Sequence, residues 1–139
     1  MKGITIDQMR IGDQGSFEKT VSETDVYLFA GITGDLNPAH CNARVMADSP
    51  FGERIAHGML SAGFISCVLG MHLPGPGTVY LSQELKFLAP VKIGDTIKAV
   101  VEVIEMNVDK NRIVVRTWCE NQNGKIVIDG KATVMPPKK

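Results

Sequence analysis

Apolar positions recur along this chain with two periods, and the change falls at the run Pro74-Gly75-Pro76-Gly77. Before it the spacing is helical; after it apolar and polar residues alternate. Residues 1–20 read as a loop and a short strand, with a turn at Ile11-Gly12-Asp13. Ser22-Glu23-Thr24-Asp25 has the form of a capping box, in which a hydroxyl accepts from a first-turn amide and an acidic side chain reaches back. Val26, Phe29 and Ala30 continue at helical spacing, and Gly31 and Gly34 are expected to end that helix. Residues 35–54 read as an irregular polar connection broken by Asn37-Pro38 and Ser49-Pro50, with Asn42 able to cap a short helical turn through Met46. A connection this long in a small domain is often functional.

The segment Ile55–Leu73, IAHGMLSAGFISCVLGMHL, has no Asp, Glu, Lys or Arg. A helix apolar on nearly every side is normally buried, so a buried helix starting near His57 is expected. Beyond the Pro-Gly run, Val79, Leu81, Leu85 and Phe87 fall on one face of a strand, opposite Ser82, Glu84 and Lys86. Ile97–Met106, Ile113–Glu120 and Ile126–Met135 read as further strands, joined by turns at Asn107–Asn111 and Asn121–Gly124. One buried helix with an antiparallel meander gives an α+β domain in which a sheet wraps the helix. The whole chain, 1–139, reads as that one domain.

Composition narrows the function. Lys+Arg and Asp+Glu both number 15, so the chain has no net charge and gives no support to nucleic-acid binding, which needs a basic surface. No apolar run is long enough for a membrane span, and residues 1–10 lack the apolar core of a signal peptide. Cys41, Cys67 and Cys119 form no C-x-x-C pair, so neither a zinc site nor a disulfide framework is expected and a reducing cytoplasm is the simple reading.

Two short runs carry candidate chemistry. Gly34-Asp35-Leu36-Asn37-Pro38-Ala39-His40 places a carboxylate and an imidazole five positions apart, able to share a water and move its protons; it is equally good turn chemistry. In Ala56-His57-Gly58, the first amides of the buried helix lack internal partners and carry the positive end of its dipole. A glycine there lets an oxyanion approach, or simply lets helix and sheet pack closely.

Taken in order, YLFAGITGDLNPAH (27–40), Arg54-Ile55-Ala56-His57-Gly58-Met59-Leu60, and Phe87-Leu88-Ala89-Pro90-Val91 with Gly94-Asp95 resemble the R-specific enoyl-CoA hydratases, the MaoC-like dehydratase family. The resemblance covers about residues 8–136. It implies a hot-dog fold, a long helix wrapped by an antiparallel sheet and usually paired as a homodimer. It implies reversible syn addition of water to a trans-2-enoyl thioester, carried by coenzyme A or acyl carrier protein, with no cofactor beyond the coenzyme A of the substrate and no metal. Asp35 and His40 match the catalytic pair, Gly58 the amide that binds the thioester oxygen, and Asn37 the motif asparagine that holds the loop or the water. Ser66 and Leu69 fall where related enzymes line the acyl pocket. Cations for the coenzyme A phosphates are sought among Arg44, Arg54, Lys86, Lys92 and Arg112. A hot-dog thioesterase and a non-catalytic acyl-thioester-binding module are the alternatives.

Overall fold

Ser22 and Asp25 close their capping box reciprocally: the Asp25 amide donates to Ser22 Oγ at 3.0 Å and the Ser22 amide to Asp25 Oδ2 at 2.9 Å. In this computed structural model, which describes residues 2–139, that box starts helix α1, Glu23–Thr33. Strand β1, Gln14–Thr20, precedes it, and Lys19 adds an ion pair to Asp25. Gly34 ends the helix in the left-handed conformation, φ 80°, its amide bonding Ala30 O. Gly31, expected to help end α1, lies inside it, because the apolar face at Val26 and Ala30 is already buried and outweighs one glycine's weak helix preference.

The connection expected to be irregular holds two short helices, α2 (Pro38–Cys41) and α3 (Ala43–Ala47). Both start on asparagine caps: Asn37 Oδ1 accepts from the Ala39 amide, and Asn42 Oδ1 from Val45. The buried helix α4 spans Gly58–Met71, shorter than the apolar run. Ile55 and Ala56 are extended instead, since Ile55 bridges to Lys92 and the Ala56 amide bonds Val91 O at 2.7 Å. Those backbone partners lie across the fold and draw the chain out of helix before His57.

Four further strands follow, β2 (Val79–Phe87), β3 (Thr96–Asn107), β4 (Arg112–Glu120) and β5 (Ile126–Met135). All pairs are antiparallel, in the order β1-β3-β4-β5-β2. One sheet face carries Ile97, Val101, Val103, Ile113, Val115, Cys119, Ile128 and Val134, all buried against Ile65, Val68 and Leu69 of α4. This is the helix-in-sheet arrangement of a hot-dog domain. Tight packing shows at Gly130, where an added Cβ would come within 1.9 Å of the Glu84 carbonyl oxygen on β2.

Strand β2 departs from simple alternation. Its register against β5 slips between Tyr80 and Ser82, leaving Leu81 as an extra residue. Tyr80 pairs with inward Val134, and Val79 pairs with Met135, so Val79 does not share the face of Leu85 and Phe87. An isolated bulge shifts one residue to the other face without changing the apolar count, so periodicity alone misplaces it.

The α1 start makes a prediction. Lys19 and the Ser22 amide hold the Asp25 carboxyl below its ordinary 3.8. A depressed folded-state value contributes stability that is present above the unfolded value and lost as pH falls through the folded one. Asp25→Ala is expected to lower stability at pH 7 by on the order of 1 kcal/mol. Denaturant titrations from pH 7 downward should show the gap to wild type narrowing below about pH 3.8.

Candidate active site

Asp35 sits just past the αL cap of α1, in a turn that divides the work of its two carboxylate oxygens. The Asn37 amide donates to Oδ1 at 3.3 Å, and the Asp35 amide donates to Thr33 Oγ1 at 3.2 Å. Oδ2 faces two imidazoles, His40 Nε2 at 3.9 Å and His57 Nε2 at 4.0 Å. Turn chemistry and a carboxylate oxygen facing an imidazole therefore coexist in one residue. Asn37 holds the loop: besides its side-chain cap on Ala39, its carbonyl accepts from the His40 amide at 2.9 Å. That cap places His40 one turn into α2.

His40 Nδ1 lies 2.7 Å from the carbonyl oxygen of Ile55. A carbonyl can only accept, so Nδ1 carries a proton, and in the neutral ring Nε2 presents a lone pair. The strand-like bonds of Ile55 and Ala56 that shorten α4 fix that carbonyl. Sequence reasoning missed the third member of the cluster, His57, although it stands in the Ala56-His57-Gly58 run. Its ring is buried, stacks on His40 with centroids 3.7 Å apart, and has Nε2 2.9 Å from the main-chain oxygen of Asp35.

His57 is the N-cap residue of α4 but makes no side-chain capping bond. Gly58, the first helical residue, lines a groove of about 370 Å³ with His40, Phe51, Phe87, Leu88 and Ile128. The groove is largely apolar. A Cβ on Gly58 would meet the Phe87 ring at 2.6 Å, so glycine is what lets that ring close over the start of the helix. His40 and Gly58 thus line one groove, with the Asp35 carboxylate behind His40, 3.9 Å from its Nε2. A larger concavity of about 470 Å³ lies away from them, near Glu84, Arg116 and Asp129.

Ser66 and Leu69 are not brought to this groove. Ser66 is exposed on α4 and Leu69 is 1% exposed in the core. The α4 face that meets the sheet is set by Ile65, Val68 and Leu69 together, and Ser66 turns away from it. Among the candidate cations, Arg54 is engaged with Glu23 and the Tyr27 hydroxyl, and Lys92 with Glu53. Arg112 donates to the carbonyls of Lys110 and Asn111. Arg44 and Lys86 have no ion-pair partner among the described residues.

Asp35, His40 and His57 offer ligand atoms within 4.8 Å of one another. As hydrogen-bonded, however, His57 Nε2 carries a proton. The cluster then supplies two lone-pair donors, His40 Nε2 and the Asp35 carboxylate, which suits a water better than a three-ligand metal.

Residues 8–125 match the model of the MaoC like domain. The chain belongs to the MaoC-like dehydratase family. It is 53% identical over 131 residues to an (R)-specific enoyl-CoA hydratase of Rhodospirillum rubrum, covering 94% of this chain and 90% of that protein. It is 44% identical over 139 residues to a 3-hydroxybutyryl-CoA dehydratase of Methylorubrum extorquens, covering 100% of this chain and 88% of that one. The fold superposes on the unliganded R-hydratase PhaJ1 from Pseudomonas aeruginosa with a TM-score of 0.95 at 44% identity, over 99% of this chain and 88% of that one.

The placement of Leu69 and Ser66 is testable by stability. Leu69→Ala should cost about 2–5 kcal/mol, as core truncations do. Ser66→Ala should stay within about 0.5 kcal/mol. Urea melts of the two variants, side by side, check both.

Proposed function

We propose that this protein is an (R)-specific enoyl-CoA hydratase, reversibly adding water across the 2,3 double bond of a trans-2-enoyl thioester. The observation that carries the reading is the pair of lone-pair acceptors, His40 Nε2 and Asp35 Oδ2, set 3.9 Å apart, with His40 lining an apolar groove that Gly58 also lines. A water hydrogen-bonded to both, at about 2.8 Å from each, subtends an angle of about 90°, close to what its two O–H bonds supply. The relatives' names point to the same chemistry.

The steps follow from the groups present. The enoyl chain lies in the groove with its thioester oxygen toward the Gly58 amide. The oxygen of the held water bonds to C3, and the π electrons move through C2 onto the thioester oxygen. The Gly58 amide, at the positive end of α4, stabilises that charge; one such donor typically lowers a barrier by about 3 kcal/mol. As the C3–O bond forms, one member of the pair takes a proton from the water and the other keeps the water oriented. The proton is then returned to C2 as the carbonyl re-forms. Donor and acceptor lie on one side of the alkene, so the addition is syn. Asn37 serves by holding the loop that carries both groups. The reaction uses no cofactor of its own; coenzyme A or an acyl carrier protein arrives with the substrate.

The protein acts as a homodimer joined through β2. Both sheet edges are open, but β1 (QGSFEKT) is polar while β2 exposes Val79, Tyr80, Leu81 and Phe87. An apolar unpaired edge is a surface that natural folds cover. No helix of the described residues is long and apolar enough to cross a membrane, and the setting proposed is the cytoplasm.

Asp35→Asn keeps shape but removes the carboxylate, and His40→Gln removes the proton shuttle. Each should lower kcat on crotonyl-CoA by roughly 10²–10⁴-fold, and the double variant should be little worse than either single one. Loss of enoyl absorbance follows hydration, and thiol release measured in parallel should stay at background; thiol release without loss of the alkene would make the protein a thioesterase. Light scattering at micromolar concentration should give about twice the 15.1 kDa chain mass, and a fully active monomer would end the dimer proposal.

A further inference from the structure

The His57 side chain ties Asp35 directly to the start of α4. It immediately precedes Gly58, so its backbone sets where the helix begins. Its ring lies between Phe29, 4.7 Å away by centroids, and His40, stacked at 3.7 Å. Its Nε2 meets the Asp35 carbonyl oxygen at 2.9 Å. Since that oxygen can only accept, Nε2 is the protonated nitrogen.

Two facts set this residue apart from ordinary core packing. First, His57 is 2% exposed and its Nδ1 has no hydrogen-bond partner. A buried orphan acceptor costs stability, so an apolar ring would pack there more favourably. Second, among the described residues, the His57 bond is the only hydrogen bond that joins Asp35 to anything outside 33–37. The other two are local, between 3.2 and 3.3 Å, and travel with the loop. The Asp35 side chain itself is half exposed, 51%, so burial does not hold it in place.

We propose that His57 is a positioning residue for the hydration. Its Nε2–H tether holds the Asp35 main chain, keeping Oδ2 opposite His40 Nε2 and fixing the water-holding pair relative to the Gly58 amide. The tether matters because attack at C3 and charge at the thioester oxygen occur together. A displacement of about 1 Å between the two halves is enough to cost about 10²-fold in rate. The proposal rests on the hydratase reading given above.

The test separates the donor from the packing. His57→Phe keeps a ring against His40 and Phe29 but has no N–H; His57→Leu lacks both ring and donor and serves if the first does not fold. His57→Gln places a side-chain amide N–H near the position of Nε2–H. On crotonyl-CoA, His57→Phe is expected to lower kcat by about 10–100-fold with KM within about threefold, while its Tm stays at or above that of His57→Gln. His57→Gln is expected to keep kcat within about tenfold of wild type despite its lower Tm. A purely structural role predicts that activity follows Tm. The proposal is overturned if the donor-less variant keeps kcat within about threefold of wild type, or if His57→Gln falls as far as it does. Long-range 1H–15N spectra of the wild type should show His57 protonated at Nε2, and a ring protonated at Nδ1 alone would overturn the tether whatever the activity. A wild type that does not hydrate crotonyl-CoA removes the hydratase reading, and with it the catalytic role of the tether, whereas the tautomer still reports the hydrogen bond alone.

Discussion

Burial of α4 in the concave face of one sheet is the constraint on which the rest of this molecule depends. Six of its fourteen residues are buried, and the four large apolar ones, Phe64, Ile65, Val68 and Leu69, meet the sheet. Each such side chain contributes roughly 1.5–3 kcal/mol when removed from water. The buried residues of α4 form one stripe, while Met59, Gly63, Ser66 and Met71 are exposed, so the sheet curls around the stripe that carries Ile65, Val68 and Leu69. The same packing fixes where the helix begins. Ile55 and Ala56 are held as extended chain by Lys92 and Val91. The Ile55 carbonyl then aims at His40, and the helix opens at Gly58 on the groove. The polar site is thus a consequence of how an apolar helix is seated.

That dependence explains what could be read from the chain. The capping box at Ser22, the αL stop at Gly34, the Asn42 cap, and the β3-β4-β5 meander with its two turns are local, and each follows from a few adjacent residues; β2, read as part of the same meander, pairs instead with β5 across the sheet. The uncharged run 55–73 announces a buried helix in the same way. The Asp35–His40 run was legible as an ordered loop that brings a carboxylate near an imidazole, because proline and asparagine spacing marks it. The family resemblance added Gly58 and reversible hydration of an enoyl thioester, and the structure places Gly58 with His40 on one groove.

The features that escaped are those decided across the fold. The helix start near His57 was legible, but its cause, the backbone partners at 91 and 92, was not. The Leu81 bulge changes which face Val79 occupies without altering the strand's composition. Ser66 and Leu69 are adjacent in role only through the resemblance; in the chain they lie three positions apart on α4, one facing solvent and one facing the sheet. His57 was overlooked because a histidine next to a glycine at a helix start reads as a cap or a packing residue. Its acceptor, the Asp35 carbonyl, is 22 positions away. The one available signal was its place in a stretch otherwise free of polar side chains larger than serine until His72.

The two stacked imidazoles show how main-chain geometry decides chemistry here. His40 donates from Nδ1 to Ile55, and His57 donates from Nε2 to Asp35. Two carbonyl acceptors therefore impose opposite tautomers on neighbouring rings. The result is that His40 offers a lone pair toward Asp35 Oδ2. A water held between those two acceptors spends both of its O–H bonds on them, and its own lone pairs remain free for the groove. Reversing the His40 tautomer would point an N–H at the same water and occupy one of those lone pairs, making the water a worse nucleophile. The group that prevents this is not in the Asp35–His40 segment at all: it is the Ile55 carbonyl, held in place because Ile55 and Ala56 pair with Lys92 and Val91 instead of joining the helix.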